Sequence, residues 1–293
     1  MKYDLYILIL LSVFATSCNA PKDKQVMSVI TEDAVAVQPQ QTKPINPSGA
    51  TILERFNPPE GFVRTLEDTA SFAHYLRQLP LKPHGSEVLY YDGRIKPNRN
   101  IYAAVVDLPI GGRDLHQCAD AVMRLQAEYL WKKKQWDKIH FNFTNGFRAD
   151  YSRWRKGERI RVKGNQVSWT TGATPSDSYA SFWKYLEMVF SYAGTLSLEK
   201  ELDPVSVKDL QIGDVFIQGG SPGHAVLVVD LAKDPNTGKR VFLLAQSYMP
   251  AQEIQVLQNP SGDGPWYEAG FGEVLRTPEW VFEKGDLRRG KEL

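Results

Sequence analysis

Residues 210–230 read LQIGDVFIQGGSPGHAVLVVD, and the fold is decided within them. Asp214–Gln218 and Ala225–Leu231 are short apolar runs rich in β-branched residues, separated by a Gly-Gly-Ser-Pro-Gly turn. His224 opens the second strand, at the mouth of this hairpin. Further on, Lys233–Lys239 (KDPNTGK) reads as another turn that folds Val241–Ser247 back against Ala225–Leu231. With that turn centred near Pro235 or Asn236, His224 lies opposite Gln246 or Tyr248. Gln246 shares the His224 face in either register, within reach of the imidazole. Asp230 lies on the same strand, but six residues at about 3.3 Å each put it roughly 20 Å from His224. It is too far away to orient the ring.

Upstream, the apolar spacing turns helical. Thr69–Leu79 carries Phe72, Tyr75, Leu76 and Leu79 at helical intervals and ends at Pro80. Ile101–Leu108 reads as a strand, broken by Gly111-Gly112. Asp114 is placed to cap a long helix from Leu115 to about Trp131. Ile139–Phe143 is a further strand, and Tyr179–Tyr192 a second long helix. Helices come first and strands later, which is the pattern of an α+β domain rather than of alternating βαβ units.

Cys118 falls in the first turn of the helix after Asp114. The partial positive charge of a helix N-terminus favours thiolate over thiol, so a nucleophilic cysteine is useful there. Cys118 also shares a face with Val122, Leu125 and Tyr129, where a buried core cysteine is common. His224 at a strand mouth favours the nucleophile. The other histidines (His74, His84, His116 and His140) have no comparable setting.

The first eighteen residues, MKYDLYILILLSVFATSC, join a polar start to an apolar run from Leu5 to Phe14. That run is shorter than the roughly 20 residues needed to span a bilayer. Ala15-Thr16-Ser17 supplies the small residues of a signal-peptidase site. The cysteine that follows resembles the lipobox of bacterial lipoproteins. The resemblance implies cleavage after residue 17, lipid on Cys18 and, with Asn19 next to it, sorting to the outer membrane. Residues 18–50 are rich in Pro, Gln and Lys and read as a flexible tether. Residues 51–293 then form one domain with an insertion around 140–170. A net charge of +1 gives no overall attraction to nucleic acid. No His-Glu-x-x-His metal motif and no Gly-rich phosphate loop is present, so neither a metal nor another cofactor is expected.

A cysteine at a helix start, then Gly213-Asp214-Val215-Phe216, a turn and Gly223-His224-Ala225-Val226 resemble the papain-like core of NlpC/P60 and CHAP enzymes. The His-Ala start of an apolar strand is also similar to transglutaminase-like proteins. Stretches such as RDLHQCADAVMRLQAEYLW and AQSYMPAQE resemble an uncharacterised family of bacterial lipoproteins carrying a domain of unknown function. The papain-like resemblance implies a helix bearing Cys118 packed on an antiparallel sheet bearing His224. It also implies cysteine-dependent hydrolysis or acyl transfer at amide bonds, with Gln246 orienting the histidine. An envelope address makes peptidoglycan peptides the economical substrate. The alternative is a binding or scaffolding lipoprotein without turnover, with Trp154 and Trp169 lining its cleft. Trp154 belongs to a basic stretch, residues 148–163, with seven basic and two acidic residues. Such runs are more often a solvated hairpin whose aromatics snorkel into the core than a binding wall.

Overall fold

A computed structural model describes residues 43–291. The stretch read above as a signal segment, Cys18 and the stretch read as a tether, up to residue 42, lie outside the described residues. Lys43–Ala50, read above as the end of the tether, is hydrogen-bonded to the first helix. Asn46 N donates to Arg55 O and Asn57 N to Pro44 O.

The described residues form a mixed fold of six helices and one large antiparallel sheet. The helices are α1 (Ile52–Arg55), α2 (Phe72–Arg77), α3 (Cys118–Lys132), α4 (Tyr151–Arg155), α5 (Tyr179–Tyr192) and α6 (Thr195–Glu201). The strands of the large sheet are β1 (Val63–Arg64), β2 (Tyr102–Val105), β3 (Asp203–Pro204), β4 (Val215–Gln218) and β5 (His224–Lys233). They continue with β6 (Arg240–Gln246), β7 (Gln255–Leu257), β8 (Tyr267–Glu268) and β9 (Leu287–Arg289). Their order is β2-β7-β6-β5-β4-β9-β3, with β1 added to β5 and β8 to β6.

β5 is the centre of this sheet, and every residue from His224 to Ala232 is buried. The run HAVLVVDLA can afford so few polar groups because neighbours cover the strand from every side. α1, α2 and α3 pack on it, and Phe271 and Phe282 pack on Phe216 of the adjoining strand. A shift of register between Leu243 and Leu244 marks a bulge in the β5–β6 pair. Gly223, just before β5, is fixed by crowding. A Cβ there would come within 2.7 Å of Gly220 O and 2.8 Å of Gln218 O.

The segment between α3 and α5 consists of two small hairpins flanking α4, His140–Asn142 with Arg148–Asp150 and Arg159–Lys163 with Gln166–Thr170. α4 and α5 meet through aromatic rings. Tyr151 packs against Phe182 and Tyr185, and Trp131 of α3 stacks on Phe182. This is the helical half of the core.

α3 begins later than its spacing predicts. Its N-cap is Gln117, not Asp114. The Asp114 carboxylate instead accepts from Ala251 N at 2.7 Å and from Gln117 Nε2 at 3.2 Å. Cys118 is therefore the first residue of the helix. Asp120 closes the end by accepting from Gln117 N at 2.9 Å.

Asp120 is almost wholly buried, and burial raises its pKa to about 8. In the unfolded chain its carboxyl ionises near its ordinary 3.8. The folded protein thus holds a proton that the unfolded chain has lost, and stability falls as pH rises from about 4 through 8. Asp120→Asn keeps an acceptor for Gln117 N and removes the titration. Its stability relative to the wild type should rise steadily over that pH window, as read by thermal melts. Parallel melting curves for the two proteins from pH 4 to 8 would contradict this.

Candidate active site

The site is built where the start of α3 meets the start of β5. Cys118 lies there with its sulfur facing the backbone N–H of Ala225, one residue after His224. That N–H and the free amides at the start of α3 favour thiolate, but burial opposes them more strongly. Cys118 is 7% exposed, and its thiol is pushed up to about 11 by burial, with a smaller contribution from Asp120. The helix terminus lowers the thiol's pKa as expected, but not far enough in this closed arrangement. Desolvation outweighs the helix end.

His224 is 1% exposed, and burial lowers its pKa to about 4, so the imidazole is neutral. Its Nε2 lies 2.8 Å from Gln246 Oε1. Continuing the β5–β6 register from the Leu227–Ala245 pair sets Tyr248 opposite His224 and Gln246 on the diagonal. A long amide side chain spans that diagonal. Tyr248 and Trp280 pack on the imidazole, with ring centroids 4.7 and 5.3 Å away, and Phe282 stacks at 5.9 Å. The Cys118 sulfur is close enough to Tyr248 to help raise the phenol's pKa, after burial and Glu279. Among the described residues no hydrogen bond joins Cys118 to His224. The two meet through Ala225 and under Tyr248.

Behind Gln246 lies a chain of polar groups that sequence reasoning missed. Gln246 Nε2 donates to Glu279 Oε2 at 2.6 Å. Lys96, only 3% exposed, donates to the same oxygen and to Gln252 Oε1, both at 2.7 Å. Gln255 Nε2 donates to Gln252 Oε1 at 3.1 Å. Burial lowers the Lys96 pKa and the Glu279 pair opposes that shift. Lys96 comes from the loop before β2 and Glu279 from the C-terminal segment. No local pattern in the sequence links them to His224.

The strap Ser247–Gln252 closes over the start of α3. Ser247 Oγ lies 2.9 Å from His116 O and 2.6 Å from Gln252 O, and Ala251 N is held by Asp114. His116 is fully buried against Phe190, which lowers its pKa to about 3. It belongs to the core.

The two tryptophans expected on a cleft wall are placed otherwise. Trp154 is 5% exposed and donates to Ser181 O at 3.1 Å, with Arg159 over its ring. Its role as a substrate contact is corrected to core packing, because its ring is already covered by Tyr185 and Arg159. Trp169 is half-buried between Phe147 and the Arg153 guanidinium. Both acidic residues of the basic run around them are paired within it, Asp150 with Arg148 and Glu158 with Arg153. Among the described residues, cavities of about 280 to 840 Å³ open away from Cys118 and His224. Among the described residues no cluster of His, Cys, Asp and Glu has the arrangement to hold a metal ion, and no helix is long and apolar enough to cross a membrane.

No curated protein and no solved structure matches this chain. A family model does, over residues 52–289, nearly the whole described domain including α3, β5, β6 and the segment that carries Glu279. The chain belongs to the family described as domain of unknown function (4846).

Proposed function

We propose that this chain is a cysteine-dependent amide-bond hydrolase or acyltransferase of the cell envelope, built on a papain-like core and closed in the state described. The observation that carries the reading is a neutral, buried imidazole fixed by Gln246 at 2.8 Å, one residue from the N–H that faces a helix-start cysteine.

With the thiol near 11 and the imidazole near 4, the resting pair holds no thiolate–imidazolium charge. Proton transfer therefore accompanies attack. As the Cys118 sulfur bonds to the substrate carbonyl carbon, its proton passes to His224 Nδ1 and the carbonyl π pair moves to oxygen. In this mechanism the backbone N–H of Cys118 stabilises that oxyanion. Collapse breaks the C–N bond, and Nδ1 returns its proton to the leaving amine. Water, or a second amine, then resolves the thioester. Hydrogen bonds of this kind tighten when substrate binds, so their absence at rest is compatible with turnover.

The lipid on Cys18 and an outer-membrane address are part of the same proposal, and cell-wall stem peptides follow from that address as substrate. The test is amine release from such peptides. The wild type should turn them over, Cys118→Ala should not, and His224→Ala should lose on the order of 10³-fold or more. Turnover by Cys118→Ala equal to that of the wild type would overturn the mechanism. A binding lipoprotein is the second reading, favoured by one observation: the low exposure of Cys118 under the strap.

A further inference from the structure

The orientation of the Gln246 amide is decided by what lies behind it. Its Nε2 faces the Glu279 oxygen that Lys96 also engages. A carboxylate in a salt bridge accepts and does not donate, so the amide nitrogen must point toward Glu279. Gln246 Oε1 is then the atom that faces His224, and the imidazole must offer it an N–H from Nε2. The lone pair is left on Nδ1. Lys96 is itself held from the other side by Gln252, whose own amide oxygen also receives Gln255 Nε2. The row runs unbroken from Gln255 Nε2 through Gln252 Oε1, Lys96, Glu279 Oε2 and Gln246 to His224.

We propose that Glu279 and Lys96 are positioning residues that lock His224 in its Nε2–H tautomer, so that Nδ1 is the basic atom. The proposal rests on the functional reading above for its purpose, but not for its test. Neither residue touches the reacting atoms. The charged groups around His224 are Lys96 and Glu279, and the neutral titratable ones are the Cys118 thiol and the Tyr248 phenol. The rings of Tyr248, Trp280 and Phe282 cover its remaining sides.

Tautomers are read directly from long-range proton–nitrogen spectra of the full chain carrying ¹⁵N-histidine, with the His224 signals assigned by their loss in His224→Ala. The wild type should show a single Nε2–H form for His224 at pH 7. Glu279→Ala removes the acceptor, lets the amide turn over, and should bring in the Nδ1–H form. Glu279→Gln keeps an acceptor oxygen and should restore the wild-type signal. A merely structural role would leave the tautomer of the folded protein unchanged in all three. An Nδ1–H wild type, or a Glu279→Ala variant that keeps pure Nε2–H, would overturn the lock. The wild-type spectrum decides this even if Glu279→Ala fails to fold. A locked tautomer in a protein without turnover would instead sink the enzyme reading and leave the lock standing.

Discussion

Asp230→Ala is expected to destabilise the fold by about 3–5 kcal/mol, the range for breaking a buried ion pair by removing one partner. Asp230 is fully buried on β5. Its two oxygens accept from Arg64 Nε at 2.7 Å and Arg77 Nε at 2.6 Å. Arg77 is committed further to Thr65 O and Leu231 O, and Arg64 to Phe56 O. This node ties β1 and α2 to the central strand. Alanine would leave the buried guanidinium of Arg77 with carbonyl partners but no counter-charge, and Arg64 only partly exposed to water. Asp230→Asn keeps one acceptor and should cost less. Urea unfolding reads both. A cost below about 1 kcal/mol, the scale of an exposed pair, would show that the arginines find other partners and that the node does not hold the sheet to its helices.

The second large effect is expected at Tyr248. Its ring lies on His224 and covers the approach to Cys118, whose thiol stands near 11 chiefly through burial. Tyr248→Ala admits water to the sulfur. If the thiol returned toward its ordinary 9, the thiolate fraction at pH 7 would rise by up to roughly 100-fold. Iodoacetamide labelling of Cys118 should accelerate by at least about tenfold from solvation alone, and further where His224 takes the proton. In the wild type it should be slow. An unchanged rate in the variant would mean that something other than the strap buries the sulfur.

Much of the sheet was legible because its signals are local. Alternating apolar runs separated by Gly-, Pro- and Asn-rich turns placed β4, β5 and β6 within a residue or two. The helical stripe of Tyr179–Tyr192 gave α5 its bounds. The proximity of His224 and Gln246 followed from hairpin parity, since a turn near Asn236 leaves them on one face. The start of α3 was misplaced because Asp114, a good cap by residue type, is taken by Ala251 N, more than a hundred residues away. The burial of Cys118 was out of view for a related reason. A helix end is visible in sequence, but the strap and strand that desolvate it are not. Trp154 follows the reading of a solvated hairpin whose aromatics enter the core, and Arg159 and Tyr185 cover its ring. Lys96 and Glu279 could not be foreseen, since nothing local joins residues 183 positions apart.

The central claim is that His224 activates Cys118 once the strap is open. The most direct measurement is the pH profile of Cys118 alkylation by iodoacetamide in Tyr248→Ala, with and without His224→Ala. The account predicts rapid labelling well below pH 8 that collapses when His224 is removed. Profiles that coincide with and without the histidine, rising only as a solvent-exposed thiol ionises, would contradict it and leave Cys118 as a core residue without a catalytic role.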